Sequence, residues 1–314
     1  MARPKVSIII VNWNGKEDLV RCLSSLRDLD YPDRELIVVD NGSTDGSLEM
    51  LEQDFPEVKV MALGKNLGRS EALNIGTKAS AGELILHLDN DTRICDPSFL
   101  SRLVELMLSD DTIGVCGPMV MNMDTNVVQT MGACVNMRSG TARQAGGRNE
   151  VDSGQYAEPF DVDYVVGCAI LFRRTVLEQV GLYVSRYMVY YDETDLCLCI
   201  KKAGYRVVTD PRAKIMHRIA GSGTDMGDFS MYQFIKNRLL FMRRHGSIGN
   251  WLFFIPKFAI APMPYVSKRF RVRHCTRIAR MTCKAVWWNV KDSLRPSPKS
   301  ENETLEPLSP VETA

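Results

Sequence analysis

The first hundred residues predict an α/β fold with a mostly parallel central sheet, because short apolar runs alternate with amphipathic segments. Four runs have the length and β-branched content of buried strands; they cover residues 6–11, 35–39, 58–62 and 84–88. Three segments between them carry apolar residues at helical spacing; they cover residues 16–27, 47–54 and 70–80. A chain of 314 residues, 45% of them hydrophobic, has enough apolar surface for this core.

The helical period weakens over residues 112–170, where glycine, asparagine, methionine and β-branched residues dominate. This composition predicts antiparallel strands and loops around a site. Further elements are then predicted, namely helices at 174–180 and 195–202, a strand at 206–209 and a helix at 229–245. One domain is therefore expected to cover residues 1–245.

Residues 246–292 predict a helical extension that lies on a membrane. The apolar stretch 251–266 is interrupted by Lys257 and three prolines, so it is too short to cross a bilayer. Seven basic residues between Lys268 and Lys284 then alternate with apolar ones, ahead of Trp287 and Trp288. An RNA-binding arm or a solvated helix has the same charge, but the aromatic residues favour an anionic membrane surface. Residues 293–314 are rich in Pro, Ser, Glu and Thr and predict a disordered tail.

Cysteine content predicts a cytoplasmic protein, and the C-terminal extension predicts that it is peripheral on the inner face of the cell membrane. The 39 basic and 38 acidic side chains nearly cancel, so no overall field attracts nucleic acid. Nine cysteines without a CxxC pair fit a reducing compartment. The apolar run at residues 6–11 is too short for an export signal, which leaves a buried strand as the better interpretation.

Three of the predicted strands end in a polar cluster. These clusters are Asn12-Trp13-Asn14-Gly15, Asp40-Asn41-Gly42-Ser43 and Asp89-Asn90-Asp91-Thr92. Open parallel sheets bind ligands at the carboxyl ends of their strands. The three clusters therefore predict one shared site.

Asp89 and Asp91 are the strongest candidates for metal ligands. They follow a buried strand and are separated by one residue, so their side chains can face the same side. Two carboxylates suit Mg²⁺ or Mn²⁺, and such an ion neutralises a diphosphate. A solvated turn is the alternative for this pattern in general. The position at the end of a fourth strand favours the metal site.

Acidic residues also gather where a helix is predicted to begin, at Asp192, Glu193 and Asp195. Capping and the helix dipole account for one or two of them, so a surplus carboxylate could act as a general base. His217 alone indicates little, since a single histidine is usually a surface or core group. Asp40 could accept a hydrogen bond from a nucleobase, and the loop Lys65-Asn66-Leu67-Gly68-Arg69 offers donors to a base or a diphosphate.

These motifs together resemble the family 2 glycosyltransferases of the GT-A fold, especially their rhamnosyltransferase-like branch. The resemblance spans residues 5–245. It rests on the three strand-end clusters, on Asn66-Leu67-Gly68 with Asn74-Ile75-Gly76, on Gly167-Cys168-Ala169-Ile170-Leu171, on Tyr191-Asp192-Glu193-Thr194-Asp195, on Ala203-Gly204-Tyr205-Arg206-Val207 and on His217.

The resemblance implies roles for individual residues. Asp40 would contact the nucleobase, Asp89 and Asp91 would hold the sugar diphosphate and the metal, and His217 would complete the metal shell. The family usually has Glu-Asp-x-Asp at the acidic helix start, so Glu193 takes the base position here and Asp192 is its rival. The donor-binding set implied in this way is Val11, Asn12, Trp13, Asp40, Asn41, Asn66, Gly68, Arg69, Asn74, Asp89 and Asn90.

The resemblance implies an inverting, metal-dependent transfer of a sugar from a nucleoside diphosphate to a hydroxyl of a glycan or lipid-linked saccharide, in cell-surface polysaccharide or glycolipid assembly. A sugar-phosphate nucleotidyltransferase is the nearest alternative enzyme, but its glycine-rich basic loop is absent after the first strand. A dinucleotide oxidoreductase would need a GxGxxG motif after a strand. An inactive nucleotide-sugar-binding scaffold is the third alternative.

Overall fold

The structure is a computed structural model that describes residues 3–218, 227–260 and 275–294. Several sequence-based predictions lie outside the described residues. They are the basic residues from Lys268 to Arg273, the end of the apolar stretch 251–266, and all of the predicted disordered tail except its first two residues.

The first half of the chain forms the predicted βαβ succession. It consists of β1 (Val6–Asn12), α1 (Lys16–Leu26), β2 (Arg34–Asp40), α2 (Ser47–Asp54), β3 (Lys59–Ala62), α3 (Arg69–Lys78) and β4 (Leu84–Asp89). These strands are parallel in the order β4-β1-β2-β3. The register places Asn12 opposite Asp40 and Val11 opposite Asp89, so all three polar clusters meet at one edge of the sheet.

The second half completes a mixed sheet and adds the C-terminal helices. Its elements are β5 (Thr92–Ile94), α4 (Phe99–Ser109), β6 (Ile113–Asn122), β7 (Val128–Thr130), β8 (Ala133–Asn136), β9 (Thr141–Gln144), β10 (Phe160–Asp161), β11 (Ala169–Arg173), α5 (Arg174–Val180), α6 (Asp192–Lys202), β12 (Arg206–His217), α7 (Asp228–His245), α8 (Ile248–Ile260) and α9 (Cys275–Ser293). β11 lies antiparallel between β4 and β6, while β8 and β9 form a separate hairpin.

Three predictions for this half need correction. β6 is antiparallel to β11 and β7 but parallel to β12, so the expected antiparallel region contains one parallel pair. β12 was predicted to end at residue 209 but continues to His217. Its pairing with β6 is irregular between Asp210 and Lys214 and is regular again from Lys214 to His217. α6 begins at Asp192, three residues earlier than predicted, so Glu193 belongs to its first turn.

Helices cover both faces of the sheet. One core cluster joins β1 to α1 and α4, and another joins the opposite face to α3, α5 and α6. Gly76 of α3 lies against this second face, where the chain approaches Ile9 and Val39 closely. The lack of a side chain at Gly76 allows α3 to pack directly on β1 and β2.

Replacing Gly76 by alanine is expected to lower the free energy of unfolding by about 1–3 kcal/mol through overpacking. A Cβ atom there would lie 2.5 Å from Ile9 Cγ2 and 2.9 Å from Val39 Cγ2. The gain of about 1 kcal/mol in helix propensity offsets only part of this cost. Urea unfolding measures the change, and Gly249→Ala on α8 is the matched control because its nearest neighbour is 3.8 Å away. Equal stability of both variants would contradict the expectation.

The C-terminal helices pack on the segment that precedes α6. Asn237 of α7 donates through Nδ2 to the carbonyl oxygens of Tyr187, Val189 and Tyr190, at 2.8, 2.6 and 3.0 Å. Asp292 of α9 is buried and pairs with Arg186 at 2.9 Å and with Arg243 at 3.2 Å. Within the described ranges no helix has the length and apolar content needed to cross a bilayer.

Candidate active site

Asp40 and Asn12 form a buried network at the ends of β2 and β1. One oxygen of Asp40 accepts the backbone N–H groups of Gly42 and Ser43, and the other accepts Nδ2 of Asn12 at 3.2 Å. The Asp40 side chain is 1% exposed. This network explains why a carboxylate ends an apolar strand: it holds the following turn in place. Its contact with a nucleobase stays a prediction.

The loop before α3 is shaped by two asparagines. Asn41 Nδ2 donates to Asn66 Oδ1, and Asn41 Oδ1 accepts the N–H of Leu67. Asn66 Oδ1 also accepts the N–H of Gly68 at 2.8 Å. Gly68 has a φ of +89°, a conformation that favours glycine. These bonds fix the direction in which the next residue, Arg69, enters α3.

Arg69 connects the end of β4 to the beginning of α6. Its Nε donates to Asp89 Oδ1 at 2.9 Å, and Nη1 donates to Asp192 Oδ2 at 3.1 Å. Nη2 donates to the carbonyl oxygen of Gly167 at 2.5 Å. The structure thus brings the strand-end aspartates and the acidic helix start together around one guanidinium group. Sequence reasoning assigned Arg69 to donor binding and missed this bridging position.

Asp192 and Glu193 have different surroundings, although they are neighbours in sequence. Asp192 is 2% exposed and also accepts the Ser70 hydroxyl at 3.1 Å, so it faces the protein interior. Glu193 lines an open cavity. Burial and the Asp192 carboxylate raise the pKa of Glu193 well above its usual range. A carboxylate with a raised pKa is better matched to proton transfer near neutral pH.

Asp89, Asp91 and His217 place one carboxylate or imidazole atom each within 4.8 Å of one another. Asp91 Oδ1 is buried and accepts no hydrogen bond, and His217 Nε2 lies 3.4 Å from it. The Nδ1 atom of His217 lies 3.1 Å from Gln129 Oε1, a contact that leaves Nε2 for a ligand. An orphaned carboxylate oxygen beside an oriented imidazole fits a divalent cation.

The pKa values of Asp89 and His217 reflect the same crowding. Burial raises the pKa of Asp89 against the opposing charge of Arg69, and Asp91 adds to the rise. Burial alone would lower the pKa of His217. The neighbouring Asp91 carboxylate has the larger opposite effect, so the pKa of His217 is raised. Gln129 was missed from the sequence, because a polar residue on a short strand carries no pattern.

Asp195, Cys199 and His245 form a second group with the same spacing. Arg244 Nε and His245 Nε2 each lie 2.7 Å from Asp195 Oδ1, and the Tyr187 hydroxyl donates to it at 2.8 Å. The arginine already neutralises this buried carboxylate. We therefore assign the group to the packing of α6 on α7.

The other residues predicted to bind the donor differ in burial and in their hydrogen-bond partners. Asn90 Nδ2 donates to Asn12 Oδ1 at 2.8 Å, and Val11 is half-buried beside Asp89 in the sheet. Trp13 is 56% exposed beyond the end of β1. Asn74 is buried, and its amide pairs with both the N–H and the carbonyl oxygen of Tyr183. Asn74 therefore ties α3 to the core, and its predicted contact with the donor stays a prediction.

A cavity of about 770 Å³ lies between the β8–β9 hairpin and the start of α6. Glu193 is the member of the predicted site set that lines it, next to Tyr190 and Tyr191. Both tyrosines have positive φ values, 66° and 67°, which are unfavourable for bulky residues. Hydrogen bonds from Asn237 to the backbone of this segment hold it beside Glu193.

Comparison with known proteins gives consistent results. Residues 7–181 match the family described as Glycosyl transferase family 2. The N-acetylglucosaminyl-diphospho-decaprenol L-rhamnosyltransferase of Mycobacterium tuberculosis is 26% identical over 236 residues, which cover 68% of this chain and 76% of that protein. The O-antigen biosynthesis protein RfbC of Myxococcus xanthus is 30% identical over 230 residues, which cover 70% of this chain but 18% of that much longer protein.

Two solved structures share the architecture. The mannosyltransferase PcManGT from Pyrobaculum calidifontis, in complex with GDP-Man and Mn²⁺, has a TM-score of 0.58 and 19% identity. That similarity covers 95% of this chain and 77% of the other. GalNAc-T7 with UDP, GalNAc and Mn²⁺ has a TM-score of 0.66 and 16% identity, over 92% of this chain and 57% of the other.

Proposed function

Because the chain belongs to glycosyl transferase family 2 and has the GT-A fold, we propose that it transfers a hexosyl group from a nucleoside diphosphate sugar by metal-dependent, inverting displacement. The acceptor is a hydroxyl of a glycan or lipid-linked saccharide in cell-surface polysaccharide or glycolipid assembly. The observation that carries the proposal is the bridge from Arg69 to Asp89 and Asp192, which joins the metal side of the site to the acidic start of α6.

The donor would lie along the carboxyl edge of β1, β2 and β4. Asn12, Asp40 and Asn41 line the ends of these strands and would surround the nucleoside. Asp89, Asp91 and His217 would hold Mg²⁺ or Mn²⁺, which supplies positive charge to the departing diphosphate. Both neighbouring structures contain Mn²⁺, and the orphaned oxygen of Asp91 supports the same type of ion here.

Glu193 is the proposed general base. Its carboxylate takes the proton of the acceptor hydroxyl while the hydroxyl oxygen bonds to the anomeric carbon and the bond to the diphosphate oxygen breaks. Attack from the face opposite the leaving group inverts the anomeric configuration. Asp192 stabilises Arg69 and raises the proton affinity of Glu193, so it positions the base and does not act as one.

A thermal-shift panel of nucleotide sugars with and without Mn²⁺ tests donor binding, because a ligand bound only to the folded state raises Tm. We expect at least one nucleotide sugar to raise Tm in Mn²⁺ and to lose this effect in EDTA. NMR of the product formed from that donor should show the inverted anomer. The proposal fails if no nucleotide sugar stabilises the protein or if the product keeps the donor's configuration.

We also propose that α8 and α9 bind the inner face of the cell membrane. Apolar residues on both helices are largely exposed to solvent, including Leu252 at 70% and Trp287 at 65%. Exposed apolar residues near basic ones favour an anionic bilayer surface. Lys284 and Lys291 of α9 supply part of that charge.

Replacing Leu252 and Phe253 together by glutamine is expected to lower binding to anionic phospholipid vesicles by roughly tenfold or more, since two buried apolar side chains are lost. Co-sedimentation measures the bound fraction. Leu108→Gln on α4 is the matched control because Leu108 is also an exposed leucine, at 51%. Unchanged vesicle binding by the double variant would remove α8 from the membrane contact.

A further inference from the structure

The backbone is strained directly before α6, in residues 187–191, which we call the strained segment. Met188 has a φ of 61° and a ψ of −51°, and Tyr190 and Tyr191 have φ values of 66° and 67°. The N–H of Val189 donates at 2.7 Å to the carbonyl oxygen two residues before it, which closes the rare form of γ-turn around Met188. Methionine and tyrosine have no preference for positive φ, so other contacts must hold this conformation.

Two helices of the site begin from the strained segment. The carbonyl oxygen of Met188 accepts the N–H of Arg69 at 3.0 Å, at the start of α3. The carbonyl oxygen of Tyr191 accepts the N–H of Asp195 at 2.8 Å, at the start of α6. Glu193 lies in this first turn of α6. The conformation of the strained segment therefore sets the position of Glu193 relative to Arg69.

The side chain of Asn237 on α7 holds the strained segment. Asn237 is fully buried and donates through Nδ2 to the carbonyl oxygens of Tyr187, Val189 and Tyr190, at 2.8, 2.6 and 3.0 Å. A buried carbonyl group without a partner is unfavourable. The amide therefore stabilises the one conformation in which all three carbonyl groups point toward α7, and the positive φ angles belong to that conformation.

A second buried asparagine makes similar bonds in a part of the fold without strain. Asn289 of α9 is 5% exposed and donates through Nδ2 to the carbonyl oxygens of Lys236 and Ala285, both at 3.0 Å. Both acceptors belong to regular helices. Comparing Asn237 with Asn289 therefore separates what a buried amide does for folding from what it does for Glu193.

We propose that Asn237 is a positioning residue for the reaction, which directs Glu193 at the acceptor hydroxyl by holding the strained segment. The inference rests on the proposed function and adds to it a residue buried away from the reactants. Without the amide the segment can relax toward negative φ angles, and α6 then begins in a different direction. A displacement of a reacting group by about 1 Å can lower a rate by about 10²-fold, while binding changes much less.

Hydrogen exchange of the full chain tests the hold on the segment without any substrate. Asn237→Leu keeps much of the side-chain volume and removes the amide, and Asn289→Leu is the matched control. We expect Asn237→Leu to speed exchange of the amides of residues 188–195 by at least about tenfold, because buried carbonyl groups lose their partner. Asn289→Leu should leave the exchange of these amides like wild type. Mass spectrometry of peptic peptides measures the rates.

Initial rates with the donor and acceptor that wild type uses test the effect on the reaction. We expect Asn237→Leu to lower kcat by at least about tenfold and to keep the donor KM within about threefold of wild type. Asn289→Leu should keep kcat within about threefold, although it also removes buried hydrogen bonds. Adding Met188→Gly to Asn237→Leu should raise kcat again by about threefold or more, because glycine adopts a positive φ without strain.

Wild-type exchange or wild-type kcat in Asn237→Leu would overturn the inference. An equal loss of kcat in Asn289→Leu, or no recovery with Met188→Gly, would reduce Asn237 to a purely structural residue. If Asn237→Leu does not fold, Asn237→Ser takes its place, because the serine hydroxyl keeps one donor and should give smaller changes in the same direction.

Failure of the proposed reaction gives a different pattern. Wild type would then transfer no sugar from any nucleotide sugar, while exchange would still distinguish Asn237→Leu from Asn289→Leu. The reaction and the role of Asn237 in it would both be rejected, and the hold on the strained segment would remain. Sugar transfer by wild type, together with an unchanged kcat in Asn237→Leu, would reject the positioning role alone.

Discussion

Replacing Glu193 by glutamine is expected to lower kcat by about 10²–10⁴-fold, the usual contribution of a positioned base. Glutamine keeps the size and polarity of the side chain but cannot take the acceptor proton. Donor binding should be unchanged, because Glu193 lines the cavity next to the β8–β9 hairpin and the guanidinium of Arg69 stays paired with Asp89 and Asp192. Transfer rates and the Mn²⁺-dependent thermal shift measure the two effects separately.

The pH profile gives this prediction a second readout. Burial and Asp192 raise the pKa of Glu193, so the base is protonated at low pH and activity should rise as pH increases through that raised value. In Glu193→Gln the residual activity should no longer rise with pH over this range. Glu52→Gln, an exposed residue of α2, is the matched control and should behave like wild type. Near-normal kcat in Glu193→Gln would transfer the role of base to another group.

Replacing Asp91 by asparagine is expected to lower kcat/KM by at least about 10²-fold, since even groups behind metal ligands contribute 10–100-fold. The change removes one negative charge from a buried position where Asp91 Oδ1 accepts no hydrogen bond. The same variant should need a much higher Mn²⁺ concentration for its thermal shift with a nucleotide sugar. Titration of Tm against Mn²⁺ measures this directly.

The stability of the unliganded protein separates a metal role from a structural one. At a pH well above the pKa of His217 the imidazole is neutral, and the Asp91 carboxylate then contributes little to folding, so Asp91→Asn should keep the wild-type Tm in EDTA or exceed it. Asp28→Asn, at an exposed aspartate after α1, controls for the loss of a surface charge. If Asp91→Asn had wild-type activity and the wild-type Mn²⁺ requirement, the cation site would have to be placed elsewhere.

The sequence predicted the polar edge of the sheet well because strand ends and periodicity are local signals. The predicted bounds of β1, β2 and β4 lie within one residue of the observed bounds. Asn12, Asp40 and Asp89 were therefore correctly expected at one edge of the sheet. Parallel pairing then determines their proximity. The prediction needed no knowledge of side-chain contacts.

The cavity beside Glu193 was not predictable in the same way. The cavity depends on a hairpin whose residues Arg143 and Arg148 have no pattern of their own, and on contacts between positions far apart in sequence. Our proposal of Glu193 over Asp192 as the base also relies on the structure, because the Asp192 side chain is paired with Arg69. Asn74 was assigned to donor binding from the family resemblance alone. The structure adds that its side chain donates a hydrogen bond to the backbone of Tyr183, a contact that the sequence does not indicate.

The buried pairing of Asp292 with Arg186 and Arg243 limits where this enzyme can be shortened. A version ending at residue 245, where the sequence suggested a domain boundary, would lose α9 and leave both arginines without their shared carboxylate. Arg186 precedes the tyrosine wall beside Glu193, so damage at the far end of the chain would spread to the reaction centre. The proposed membrane contact and the proposed reaction therefore cannot be tested separately by simple truncation, and surface substitutions on α8 are the better way to remove the first while keeping the second.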